Sequence, residues 1–598
     1  MKKKFKNEHS VISNIFFFLK LLFELSPLFI VCELIQGILW TVPGKLISVL
    51  GVKYIIDVVS SGENLNRIIY AVILISAVML GSRVLSIAFG VLLRDISREK
   101  LYYRLNKKLY EKARSLDLES YDNPDFYNSF ILTVESSSDN IQNLLGIVRN
   151  YIANIVSFIA ISSVILTIDP LCLVIIIATV FIFLPLSKKV GKLQMDRRTE
   201  NTRLHRRSDY FQRIFYLQDY AKEIKMNDIK PLLIDRYNDA ADAVVDNQKS
   251  FWAKISANYC LQNIGIQIFG FMFILPLYLG YLVIVKKSIS SGDFVASFNG
   301  AYSIAMSVNF LTVWALAQFE ERGKMIEKYR EFLRTDSKIK DGKNDKAENE
   351  PKEIVIKNLS FTYPGNDKPT LNDINLTIKP YEKIALVGYN GAGKTTLTNL
   401  LLRLYDASEG EILIGGVNIK DFSLEAHKSR FSAVFQDFQT YCASVGENVA
   451  LDASYNEENV KKALFHSGFS KSLKNGIKTE LLREFDDEGI MLSGGESQKV
   501  AVARAFYKSC PYAILDEPSA NLDPVAEYKL NQAMMKAAEH KTVIFISHRL
   551  STTVNADKIY VMENGKIIES GSHNDLMKQN KTYANMFNLQ AEKYKKEA

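Results

Sequence analysis

Cysteine is scarce in this 598-residue chain. There are five, Cys32, Cys172, Cys260, Cys442 and Cys510, with no CxxC or CxxxC pair among them. An odd, dispersed set argues against a disulfide framework and against a thiolate zinc site. Blocks of a single charge are missing as well. The 74 basic residues are set against 66 acidic ones, a net charge of +8. Because the signs alternate along the chain, no nucleic-acid partner is expected. The first 32 residues have the basic start and apolar stretch of a secretory leader, but no small-x-small cleavage site follows, so an uncleaved membrane segment is expected. No internal repeat is evident beyond recurring apolar helices.

What the chain does have is a sharp split in hydropathy. Apolar runs crowd into residues 11 to 318, and each is measured against the roughly 20 residues that a helix needs to cross a hydrocarbon core about 30 Å thick. Six spans are expected, at about 27–59, 68–93, 151–168, 171–186, 259–285 and 294–319. They follow a basic amphipathic lead-in, residues 1 to 25, expected to lie along the membrane surface. Pro43 and Gly44 suggest a kink in the first span. The connections near 60–66, 169–170 and 286–293 are short. Those at 94–145 and 187–256 are long, charged and apolar-periodic, so they read as helices continuing into water. The first of these holds eight Lys and Arg, and the second is denser. The positive-inside rule therefore puts both long connections and the Met1-Lys2-Lys3-Lys4 terminus in the cytoplasm, with Lys286 and Lys287 as an exception outside. Six crossings return the chain to the cytoplasm and place it in the cytoplasmic membrane.

Residues 335–352 are almost wholly polar and read as a flexible linker between a membrane domain (1–334) and a second domain (353–598). Beyond it, short β-rich runs such as Glu353–Ile356, Ile384–Val387, Ala513–Leu515 and Thr542–Ile546 alternate with helical stretches. That is an α/β layout with a largely parallel sheet.

The segment Gly388-Tyr-Asn-Gly-Ala-Gly-Lys-Thr395 fits the phosphate-loop pattern G-x4-G-K-[ST], between an apolar strand and a helix as the motif requires. Gly391 and Gly393 let backbone N–H groups crowd around phosphates at a helix N-terminus. Lys394 is placed to neutralise the β- and γ-phosphates of ATP, and the Thr395 hydroxyl to bind Mg²⁺. Gly388, Asn390 and Thr396 complete the nucleotide-binding loop. The run Tyr512-Ala-Ile-Leu-Asp516-Glu517 ends a buried strand in two acids. Asp516 suits a Mg²⁺ ligand and Glu517 a general base for the attacking water. Ser493, Gly494 and Gly495 offer a hydroxyl and backbone amides at a helix start, a second phosphate-binding surface.

The sequence Leu492-Ser-Gly-Gly-Glu496 matches the ABC signature, and the whole set resembles an exporter-type ABC transporter of the type IV fold. The resemblance is strong from residue 353 onward and rests on layout before it. It implies an α-helical membrane domain of six transmembrane helices with long cytoplasmic extensions, plus an α/β P-loop NTPase ABC domain. It further implies that Tyr363 stacks on adenine, that Gln436 links Mg²⁺ and water to the membrane domain, and that Ser519 to Asp523 runs between paired sites. His548 takes the place of the switch histidine. Asp487 stands where exporters usually carry Glu. With one phosphate loop and one signature, the chain is expected to pair with a second half-transporter, as homodimer or heterodimer, each signature covering ATP held by the other. The segment Ser120 to Tyr127, with its Pro between aromatic residues, resembles the first coupling helix, and Tyr216 to Asp228 its counterpart reaching across to the partner.

Polar residues in the spans, Glu33, Gln36, Arg83, Gln262, Gln267, Asn299 and Asn309, serve either substrate contact or helix–helix bonding. The expected function is ATP-hydrolysis-driven export of an amphipathic or hydrophobic drug, lipid or peptide across the lipid bilayer; the alternative on the same frame is an ATP-gated channel or sensor.

Overall fold

The computed structural model describes residues 9–62, 65–135, 137–265, 273–346, 349–517, 527–528, 532, 540–547 and 549–596. The chain divides into two compact units, one of Met1–Arg114 and Asn128–Thr335, the other of Ser115–Tyr127 and Asp336–Ala598.

The first unit is helical. Ser10 caps the opening helix Val11–Leu25, which buries Phe18, Leu21 and Leu22 and leaves Ile12, Phe16 and Phe23 exposed. Its inner face packs on Ala315–Arg334, with Phe18 and Tyr329 edge to face at 5.5 Å. The sharp bend is at Ser26, where the next helix, Pro27–Ser60, turns away by 113°. The helix runs through Pro43 and absorbs the irregularity as a π-helical turn at Ile47–Gly51, where the sequence had suggested a kink. The helix Leu65–Arg114 has 50 residues and Pro170–Tyr216 has 47. At 1.5 Å per residue each is about 70 Å long, more than twice the hydrocarbon thickness, so both extend far beyond it as expected.

By length and apolarity, Leu65–Arg114 and Asn143–Ile168 qualify as spans among the described residues, and the bent pair at the start would make a third. The remaining expected spans fall on helices Pro170–Tyr216, Lys230–Ile264 with Leu275–Gly280, and Ser291–Asn309, which are shorter in apolar length or more polar. The core of this unit gathers Val49, Ile161, Ile165, Ile176, Leu279 and Ile304 around small residues. At Gly300 a Cβ would come within 2.9 Å of Ile165, so the helices there approach at glycine distance.

Several polar span residues bond helix to helix. Glu33, 7% exposed, accepts from Arg149 at 3.1 Å and lies 3.7 Å from Arg94. Arg83 donates to the Trp40 carbonyl at 3.0 Å and sits over that ring, and Asn299 donates to the Ser48 carbonyl. Gln267 lies outside the described residues.

The second unit holds two sheets. Strands β1 (Ile354–Phe361), β2 (Leu371–Ile378), β4 (Glu409–Ile414) and β5 (Val417–Asn418) form an antiparallel sheet in the order β2-β1-β4-β5, an element not foreseen from sequence. The other has the order β10-β9-β3-β8-β7-β6, with β3 (Lys383–Val387), β6 (Phe431–Val434), β7 (Tyr512–Asp516), β8 (Thr542–Ile546), β9 (Lys558–Glu563) and β10 (Lys566–Gly571). All its pairs are parallel except β9–β10. Strands β7 and β8 are buried at every position, as expected for parallel strands covered on both faces. Register then sets the site: Leu386 of β3 and Asp516 of β7 both pair with Ile546 of β8, so the segments after β3 and β7 leave the sheet at one level.

The polar stretch after Thr335 is held rather than loose. Arg403 donates to the Lys340 carbonyl, Arg430 to that of Lys346, and Leu424 N–H to the Asp341 carboxylate, each at 2.6 Å. Composition foretold a solvated linker, but two arginines exchange water for its carbonyls.

Candidate nucleotide site

Glycine geometry builds the loop at the end of β3. Gly388 has φ 152° and a Cβ there would meet the Met562 carbonyl oxygen at 2.2 Å; Gly393 has φ 100°, with Leu371 where its Cβ would be. Both positions exclude larger residues by conformation and by space. Helix Lys394–Leu401 starts immediately afterwards, so the loop amides and the helix N-terminus face the same point. Lys394 is buried, and its ammonium donates to the carbonyls of Gly388 at 2.8 Å and Tyr389 at 3.1 Å. Burial lowers its pKa, while the charges of Glu517 and Asp516 raise it.

The strand ending at Asp516 brings its carboxylate to the loop. Thr395 Oγ1 donates to Asp516 Oδ2 at 3.0 Å. Asp516 is 3% exposed, and its other oxygen, Oδ1, has no hydrogen-bond partner among the described residues. Burial raises its pKa, the Thr395 bond opposes this, and the Glu517 charge adds to it. A buried carboxylate oxygen without a partner beside a hydroxyl is an oxygen-donor set of the kind that a hard cation takes.

Glu517 has φ 48°, the left-handed region, which costs a non-glycine residue on the order of 1–3 kcal/mol. Among the described residues its backbone is bonded on both sides: its N–H donates to the Ile546 carbonyl at 3.1 Å, and the Gln498 side chain donates to its carbonyl at 3.2 Å. Gln436 donates to the Glu517 carboxylate at 3.2 Å, which joins the segment after β6 to the segment after β7. Tyr363 lies beside the phosphate-loop helix, its hydroxyl 3.2 Å from that of Thr396. Asn390, Gly391 and Thr395 are exposed at the mouth.

Ser493 caps helix Gly494–Tyr507 in a capping box with Glu496. Its hydroxyl accepts from Glu496 N–H at 3.3 Å, at an exposed position. Asp487 lies exposed in the preceding turn. Asp523 and the rest of Ser519 to Asp523, together with His548, lie outside the described residues.

Gln498 is the positioning group that sequence reading missed. It is 2% exposed, and the only sequence signal was a polar residue on the buried face of the helix that follows the signature.

Comparisons with known proteins agree with this geometry. Residues 371–520 match the ABC transporter family. The subtilin transport ATP-binding protein SpaT of Bacillus subtilis is 28% identical over 493 residues, 81% of this chain and 79% of that protein. The ATP-dependent lipid A-core flippases of Methylobacillus flagellatus and Vibrio vulnificus are 42% and 32% identical, over 40% and 58% of this chain. Those alignments span 41% and 60% of the flippases, less than two thirds of their length. In fold, the chain matches a bacterial Atm1-family ABC exporter solved with ATP bound, with a TM-score of 0.74, 23% identity, and coverage of 93% of this chain and 97% of that one. The chain therefore carries an ABC transporter domain fused behind a helical membrane region, in the fold of an ABC exporter.

Proposed function

We propose that this chain couples ATP hydrolysis to export of an amphipathic compound across the cytoplasmic membrane, working as a dimer of two such halves with its nucleotide domains in the cytoplasm. The observation that carries the reading is the convergence of Lys394, Thr395, Asp516 and Glu517 at one edge of a buried parallel sheet. Lys394 neutralises β- and γ-phosphate charge, and the loop amides cradle those oxygens. Glu517, aimed by Gln498 and Gln436, accepts the proton of the attacking water, a role worth roughly 10² to 10⁴ in rate. Thr395, Asp516 and Gln436 would hold Mg²⁺, which when bound supplies electrostatic neutralisation of the phosphates. Tyr363 stacks on adenine, Asp523 takes part in nucleotide binding and His548 in catalysis, and Ser493, Gly494 and Gly495 cover the ATP of the opposite half.

Two surfaces support the pairing. In the first unit, the tip around helix Gln218–Met226 exposes Tyr216, Tyr220 and Met226, the last at 83%. In the second, a groove of about 830 Å³ is lined by Phe435, Phe438, Tyr441, Leu451 and Arg504. Each is an exposed apolar surface of the kind that marks a protein–protein contact. A peptide is the cargo to test first, because a relative aligned over 81% of this chain is named for transport of subtilin.

The experiment is reconstitution of the purified chain in proteoliposomes with Mg-ATP, measuring phosphate release and uptake of a labelled amphipathic peptide or lipid. ATP-dependent uptake that is lost in Glu517→Gln is expected. ATP-gated ion conductance without uptake would overturn export.

A further inference from the structure

A chain of side chains links the expected base position to a segment from the other end of the sequence. Tyr363, Phe361 and Tyr405 form an edge-to-face triad, with Tyr363 4.9 Å from Phe361 and 5.3 Å from Tyr405, interplanar angles 81° and 83°. Tyr405 is buried, and its hydroxyl donates to the carboxylate of Asp122. Asp122 belongs to Ser115–Tyr127, which forms one compact unit with the nucleotide domain although it is continuous with the long helix Leu65–Arg114. The same segment is held a second time, where the Asp117 carboxylate accepts from the Ser337 hydroxyl and from the backbone N–H groups of Lys338 and Ile339. Arg403, two residues before Tyr405, donates to the Lys340 carbonyl of that stretch. The turn Arg403–Tyr405 thus clasps both the loop and the strap that follows the membrane helices.

We propose that Tyr405 is a positioning residue through which a base stacked on Tyr363 orders the loop Ser115–Tyr127. The inference rests on the reading of Tyr363 as the adenine platform. A base stacked on Tyr363 fixes that ring. Close-packed aromatic neighbours do not deform continuously, so the constraint passes to Tyr405 and its bond to Asp122. Burial and the Asp122 carboxylate push the Tyr405 phenol well above its ordinary range, so it stays a donor. The loop then responds to the base and not merely to the phosphates.

Hydrogen exchange on the full-length chain in lipid nanodiscs tests this, with Mg-AMP-PNP and base-free Mg-tripolyphosphate at saturating concentrations. AMP-PNP is expected to slow exchange at both 388–396 and 115–127, the latter by about fivefold or more for one charge-assisted bond. Tripolyphosphate should slow only 388–396. Tyr405→Phe, which keeps the ring, and Asp122→Asn should each keep the first effect and lose the second. Loop slowing that persists in either variant, or that tripolyphosphate produces equally, overturns the relay. Undiminished AMP-PNP affinity in Tyr363→Ala overturns the adenine platform itself, and the relay with it. Lost affinity there, with loop slowing intact in Tyr405→Phe, overturns the relay alone.

Discussion

Replacing Gln498 with Ala tests whether the left-handed backbone at Glu517 is part of the catalytic apparatus. The side chain donates one hydrogen bond to the Glu517 carbonyl at 3.2 Å, from a nearly fully buried position. Such a bond contributes about 1 kcal/mol net. The conformation that it helps hold costs on the order of 1–3 kcal/mol. The second tether, Glu517 N–H to the Ile546 carbonyl, remains in the variant. The expected penalty on the productive carboxylate pose is therefore about 1–2 kcal/mol, which corresponds to a roughly 5- to 30-fold fall in kcat. Gln498 has no place among the groups that hold the nucleotide, so KM for Mg-ATP should stay within about twofold. The assay is steady-state phosphate release by the reconstituted full chain, and Gln498→Glu is the control that fits the same space without the donor. An unchanged kcat, or a loss confined to KM, would refute the argument.

The other expectations are simpler. Glu517→Gln should keep ATP binding and lose about 10² to 10⁴ in turnover; near-normal ATPase activity in that variant, purified without a wild-type partner, would remove Glu517 as the base. Lys394→Ala should weaken Mg-ATP binding in equilibrium titration, and unchanged affinity would dismiss the phosphate-loop role. His427 is fully buried beside the Leu401 carbonyl; burial lowers its pKa from 6.5 to about 4, the Leu401 bond opposes this, and Arg403, Arg430 and Lys428 act with burial. The unfolded chain then binds the extra proton first, so stability present above pH 6.5 is lost as pH falls toward 4, by about 2 kcal/mol at pH 5. Calorimetric melting of the full chain in nanodiscs should show that slope, and His427→Gln should flatten it; an identical slope in the variant would discount the histidine.

Sequence alone determined what depends on local pattern. The phosphate loop was legible because Gly388 and Gly393 occupy conformations and spaces that only glycine satisfies, and the strand before Asp516 because a parallel strand covered on both faces must be apolar throughout. The long helices followed from apolar period and loop charge. What depends on partners distant in sequence was not legible. Nothing in residues 335–352 indicates that Arg403 and Arg430 hold their carbonyls, since a polar stretch looks the same solvated or strapped down. The antiparallel sheet, the burial of Gln498 against Glu517 and the bond from Tyr405 to Asp122 arise only when segments tens to hundreds of residues apart meet. Local propensity and motif spacing specify which groups can do the chemistry. Packing across the chain decides which other groups hold them at the angle where they do it.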